Sequence, residues 1–94
     1  MADLTGTIAG RVVDAATGQG IPRCDVTARA GIARAAVTDG RGAYRIPGLP
    51  VGSYTVEAAA LGYASQTTAD VAVQLGRSVP CDFTLQPKPQ DGGS

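Results

Sequence analysis

An all-β sandwich is the fold class this sequence predicts, and three observations predict it. Apolar residues recur with a period of about two, not about 3.6. Gly, Pro and Asp clusters cut the chain into segments of roughly 8 to 12 residues, the rhythm of short strands joined by turns. Gly and Pro together supply 19 of the 94 residues, which suits many turns and few helices. Hydrophobic residues are 44% of the chain and charged residues 17%, too apolar and too uncharged for a disordered chain. Of the 41 hydrophobic residues, 16 are Ala and only 18 are Val, Ile or Leu, so the core is expected to be thin. At this length the chain is one domain.

Seven short strands follow in order. The first runs from Gly6 to Val13, with Ile8, Gly10 and Val12 on one face. The turn Asp14–Gly20 leads to a second, Arg23 to Ala30, with Cys24, Val26 and Ala28 inward. Gly31 turns the chain into a third, Ala33 to Thr38. Asp39-Gly40 reads as a type I′ hairpin turn, because both of its central residues need positive φ. The fourth is Ala43 to Ile46, with Tyr44 and Ile46 inward. Pro47 to Gly52 is expected to be a loop, since each Pro lacks the N–H a ladder interior needs, with Leu49 tucked into the core. The fifth, Ser53 to Ala60, places Tyr54, Val56, Ala58 and Ala60 on one face. Gly62-Tyr63 is a turn. The sixth spans Ala64 to Gln74, and Gly76-Arg77 turns into the seventh, Ser78 to Gln86, with Val79, Cys81, Phe83 and Leu85 inward. Pro80 points outward there and implies an edge or a bulge. The third and sixth strands read as edges. In the third, Arg34 is the sole gatekeeper charge, so edge pairing with another chain is expected.

The most informative stretch runs from Thr38 to Glu57 and closes at Gly62-Tyr63. It carries Asp39, Gly42, Tyr44, Leu49, Gly52 and Tyr54 at fixed offsets. This pattern closely resembles the carboxypeptidase regulatory-like domain, with its T-D-x-x-G-x-Y, its Leu-Pro-x-Gly-x-Tyr turn and its Gly-Tyr. Gly6–Asp14, Pro22–Thr27 and Asp82–Leu85 resemble that family's first, second and last strands. The resemblance covers residues 6–86, so residues 1–5 read as an N-terminal extension and 87–94 as a flexible tail or linker by composition. It implies a seven-stranded antiparallel Greek-key sandwich of transthyretin-like (prealbumin-like) type. It also implies an accessory, non-catalytic role beside other domains, in an extracytoplasmic setting. The residues agree with a structural motif: Gly52 for a tight reversal, and Tyr44, Tyr54 and Tyr63 as large rings whose hydroxyls can tie down a neighbouring backbone group.

The chemistry expected of an enzyme is sparse. With no His in the chain, the commonest general base and metal ligand is missing. A hydrolase of similar fold relies on His and a C-terminal Tyr-Arg-Gly-Ser, whereas this chain ends Asp-Gly-Gly-Ser. The core cross-links of related adhesin repeats need Lys with Asn or Asp, but the one Lys is Lys88, in the tail, and there is no Asn. Asp39 and Asp14 suit turn chemistry better than a calcium loop, which needs six to eight oxygens or so. Asp3 with Asp82 is the one carboxylate pair the strand ends suggest. Cofactors, metal and catalytic residues are therefore expected to be absent. Cys24 and Cys81 have inward parity, and the implied topology puts them at the same end of the sandwich. Two readings remain open: a cross-sheet disulfide adding ~2–4 kcal/mol, or two buried free thiols.

Eight Lys and Arg balance eight Asp and Glu, and no run of like charge occurs. Nucleic acid and polybasic membrane contact are excluded as expectations. No segment is apolar enough to span a bilayer, and Met1–Thr5 lacks the pattern of a signal peptide. The chain is thus expected either to stay inside the cell or to be a domain of a longer one. Its expected partners are other domains or another protein chain, with a carbohydrate or peptide as the alternative. A cluster of exposed Tyr would favour sugar, and a flat Ala/Val/Thr patch would favour protein.

Overall fold

The computed structural model of the chain describes residues 5–88. Eight strands, and no helix among the described residues, form two sheets. They are β1 (Thr5–Asp14), β2 (Asp25–Arg29), β3 (Ala33–Val37), β4 (Ala43–Pro50), β5 (Gly52–Ala59), β6 (Gln66–Val73), β7 (Ser78–Pro80) and β8 (Phe83–Leu85). One sheet is ordered β4-β1-β7, with β8 also beside β1. The other is ordered β3-β2-β5-β6. The sheets pack face to face, and the alternation read from sequence decides which side chains meet. Ile8 and Val12 from β1, Tyr44, Ile46 and Leu49 from β4, and Phe83 and Leu85 from β8 face Val26, Ala28, Tyr54, Val56, Ala58, Val71 and Val73 of the other sheet, and all are buried. Ala60, Tyr63 and Val79 pack at the rim of this core, half-buried.

The expected seventh strand is present but broken, which raises the count to eight. β7 pairs with Thr7–Ala9 and β8 with Val12–Asp14, both parallel to β1, so the sheets are not antiparallel throughout. The chain bulges between them. The Cys81 N–H still donates to the Ala9 carbonyl at 2.9 Å, but the next backbone donor, Arg11 N–H, donates to the Asp82 carboxylate instead (2.9 Å). A side chain thus completes the ladder where Pro80 has bent it. Gly10 lies under the bulge, where any Cβ would collide with the Cys81 carbonyl.

Two further expectations are corrected. Pro47 to Pro50 is strand, not loop. β4 pairs with β1 from Arg11↔Ala43 to Thr5↔Pro50, with a register shift between Gly6 and Ile8. The prolines are tolerated because β4 is the sheet's edge and the bulge, with Gly48 at φ 70°, absorbs the irregularity. The turn at Asp39 does not join a hairpin either, because β3 and β4 lie in different sheets. Its left-handed residue is Gly42 (φ 80°), not Asp39 or Gly40. Thr38 explains the crossing: its buried hydroxyl accepts from Cys24 N–H (2.8 Å) and donates to the Ile21 carbonyl (2.6 Å). That anchors the end of β3 to the start of β2 just before the chain changes layer. β3 and β6 are edges, as their sequences predict.

Candidate functional site

The motif residues do not converge on one site. They sit at several joints of the sandwich, where Tyr44, Tyr54 and Asp39 hold backbone groups. Tyr44, on β4, is buried and donates its hydroxyl to the Cys81 carbonyl at the β7–β8 bulge. Tyr54, on β5, donates to the Pro50 carbonyl at 2.7 Å, tying β5 to the end of β4 across the Val51-Gly52 connection. Leu49 is wholly buried between the layers. Gly62 takes φ 86° in the turn after β5. That turn presents Tyr63, whose hydroxyl donates to Asp14 Oδ2 at 2.6 Å. Asp39 Oδ1 accepts from the Arg41 and Ala43 amides at 2.8 and 3.0 Å. Gly42 is pressed against the Val12 carbonyl, where a side chain would collide.

The ionisable groups at these joints are tuned to keep these bonds. The Tyr63 hydroxyl holds the Asp14 carboxyl below the usual carboxylate range, and the Ala16 amide adds to this. The Arg41 and Ala43 amides do the same for Asp39. The Tyr63 phenol is pushed up by its bond to Asp14, and Tyr44 is pushed up by burial. Cys24 and Cys81 are free thiols, both buried, and burial pushes both upward. A thiol displaced in that direction is a poor nucleophile. Among the described residues, no three His, Cys, Asp or Glu come together as a metal site would require. Asp3 lies outside the described residues. Asp82 is occupied by the Arg11 amide, a role its position in the sequence does not announce.

Two surfaces remain. One is an open depression of about 480 Å³ at the end of the second sheet, edged by Arg23, Asp25, Glu57, Tyr63, Ser65 and Lys88. Arg23 adopts φ 59° there, a left-handed conformation uncommon outside glycine. Leu61 projects fully exposed beside it. Glu57 also meets Arg29 at 3.6 Å on the outer face, an exposed pair of small energetic weight. The expected linker begins at the same place: Pro87 bridges to Tyr63 and the Lys88 N–H donates to the Gly62 carbonyl. Residues 89–94 lie outside the described residues.

The other surface is the β3 edge, where Ala33, Ala35 and Val37 are exposed. No cluster of exposed tyrosines occurs among the described residues, since Tyr44 and Tyr54 are buried and Tyr63 is half-buried. No helix among them is long and apolar enough to cross a membrane.

A family model for the carboxypeptidase regulatory-like domain matches residues 7–86. A search of curated proteins gives no match. Among solved structures, the chain is similar to part of the Bacillus anthracis TIE protein, with a TM-score of 0.71 and 14% identity over 88% of this chain and 16% of that one. It is similar to a Bacteroides uniformis protein proposed to bind carbohydrate, with a TM-score of 0.69 and 20% identity over 86% of this chain and 41% of that one. It is also similar to the minor pilin of Streptococcus agalactiae, with a TM-score of 0.62 and 16% identity over 96% of this chain and 48% of that one. At such identities the likeness shows the fold. The chain spans from about a sixth to about half the length of these structures.

Proposed function

The chain belongs to the carboxypeptidase regulatory-like domain family, and from that premise we propose that it is a non-enzymatic accessory module that positions a larger protein or assembly through protein contacts. The observation that carries this reading is where the polar chemistry goes. The three tyrosine hydroxyls and the carboxylates of Asp14, Asp39 and Asp82 are all bonded within the fold. At the β3 edge what faces outward is strand backbone with the small apolar side chains of Ala33, Ala35 and Val37. Asp39, Gly42, Tyr44, Leu49, Gly52, Tyr54, Gly62 and Tyr63 are proposed to be fold-holding residues, and residues 6–86 the functional unit. The proposed setting is extracytoplasmic, supported by the likeness to a pilin.

A second reading, a carbohydrate- or peptide-binding accessory domain, draws on the depression at Arg23 and Ser65 and on the likeness to the Bacteroides uniformis protein. Backbone amide shifts measured by NMR separate the two. Protein partners or strand peptides are expected to shift Ala33–Val37. Oligosaccharides that shift Arg23, Asp25 and Ser65 and leave β3 still would replace the first reading with the second. Turnover of an ester, amide or glycoside by the purified chain would end both.

A further inference from the structure

The four sheet edges are not equally protected. β4 carries Pro47 and Pro50 and a register shift. The opposite edge is split into the three-residue pieces β7 and β8, the first ending in Pro80. β6 is twisted by Asp70 at φ 60° and by a register shift against β5. These are the devices that keep an edge from accepting another strand. β3 has none of them. Its five residues pair with β2 without a break, from Asp25↔Val37 to Arg29↔Ala33.

The hydrogen bonding of that edge follows from one contact. The Thr38 N–H donates to the Cys24 carbonyl at 3.0 Å, so Thr38 turns its backbone groups toward β2. Alternation along an antiparallel ladder then gives Ala36 and Arg34 to β2. It leaves the N–H and C=O groups of Ala33, Ala35 and Val37 pointing away from the sheet. We propose that this edge pairs antiparallel with β3 of a second copy of the chain, about a two-fold axis at Ala35, to give one continuous eight-stranded sheet. The inference rests on the reading of the domain as a protein-contact module and names its partner.

The register is self-complementary. With Ala35 opposite Ala35, Ala33 meets Val37 of the second copy, and Val37 meets its Ala33. All are outward-bonding positions, so the pairs exchange about six hydrogen bonds. The one charge on the strand, Arg34, then faces Ala36 of the second copy rather than its Arg34, so like charges do not oppose each other. The exposed Val37 side chain, 58% accessible, gains a cross-strand neighbour. The formal net charge of zero adds no long-range repulsion between copies. A single five-residue edge is a small contact, and the dimer it makes is correspondingly transient.

Sedimentation velocity from about 10 μM to about 1 mM, the span in which a contact of this size is read, tests the proposal. The expected result is a monomer–dimer equilibrium that Ala35→Lys weakens by about tenfold or more, because it sets two ammonium groups face to face. Ala35→Pro removes an outward N–H, none that β2 uses, and is expected to abolish pairing in a chain whose circular dichroism is unchanged. Amide exchange should slow with concentration at Ala33, Ala35 and Val37 and stay constant at Arg34 and Ala36. A monomer throughout, a dimer indifferent to both variants, or protection along Gln66–Val73 would each overturn it. If a foreign strand peptide occupies β3 where a second copy does not, self-pairing is wrong and the protein-contact reading stands. If nothing proteinaceous binds at any surface, that reading fails as well.

Discussion

Tyr44 is 5% exposed, and its hydroxyl is the partner of a carbonyl at a strand break. Replacing it with Phe keeps the ring and leaves the Cys81 carbonyl without that donor. The expected loss is about 1–3 kcal/mol of unfolding free energy, the range for orphaning a buried polar group. Tyr54→Phe is expected to lose less, about 0.5–1.5 kcal/mol, because the Pro50 carbonyl it serves lies on an exposed residue. Urea titration of both variants checks the order, and equal losses would contradict it. Glycines separate by the same kind of reasoning. Gly48→Ala meets open space, so it bears only the left-handed backbone cost of roughly 1 kcal/mol. Gly42→Ala has that cost and also a collision with the Val12 carbonyl, so it is expected to be much the more destabilising of the two.

The bond between Asp14 and Tyr63 is also a pH element. The folded carboxyl titrates below its ordinary value of 3.8. Its contribution is therefore complete above the unfolded pKa and is lost as pH falls through the lower folded one. The folded phenol titrates above 10.0, so its contribution is complete below that value and lost as pH rises through the higher folded one. Stability from this pair is expected to be flat in between and to fall at both ends. Tyr63→Phe should move the Asp14 carboxyl back toward its ordinary value, read from its carbon-13 shift against pH. An unmoved titration would show that the Ala16 and Thr17 amides set it alone.

At the scale of elements, β1 organises its sheet. It is the longest strand and serves β4 on one side and both β7 and β8 on the other. Its alternation, Ile8 and Val12 in and Arg11 out, is legible from residue types alone. The prolines of β4 are a different case, because a missing N–H excludes a central strand but not an edge. For β4, sequence does not say that the strand lies at an edge until the sheets are assembled. Asp39 likewise announces a turn, but what that turn connects depends on where Thr38 finds its partners, Cys24 and Ile21, which are far back in the chain. The break at Cys81-Asp82 was half visible. Pro80 signals a disturbance, while the substitution of the Asp82 carboxylate for a ladder carbonyl depends on Arg11, 71 positions away.

At the scale of the whole molecule, the sandwich closes only when the last strands return to the first. A fragment ending at Gly76 lacks Phe83 and Leu85 from the core and leaves one side of β1 unpaired. It is expected not to fold, giving collapsed amide dispersion by NMR, and a well-dispersed spectrum would refute this. The two free thiols report the same cooperativity. Cys24 is fully buried and Cys81 is 7% exposed, so labelling by a thiol reagent should track global unfolding across a denaturant series. Fast labelling of the native chain would mean that the β7–β8 bulge opens by itself.

Local chemistry, written in the order of the residues, determined the class of the fold, the inward face of nearly every strand, the position of most turns and the two edges of the second sheet. Each of these depends on neighbours one to four positions apart, where alternation, missing N–H groups and positive φ act directly. Pairings across the chain were decided only on folding: the parallel return to β1, the carboxylate in the ladder, the tyrosine hydroxyls on their distant acceptors. Hydrogen bonds between residues tens of positions apart are fixed by which layer each strand joins, and burial of the assembled core settles that for all strands at once.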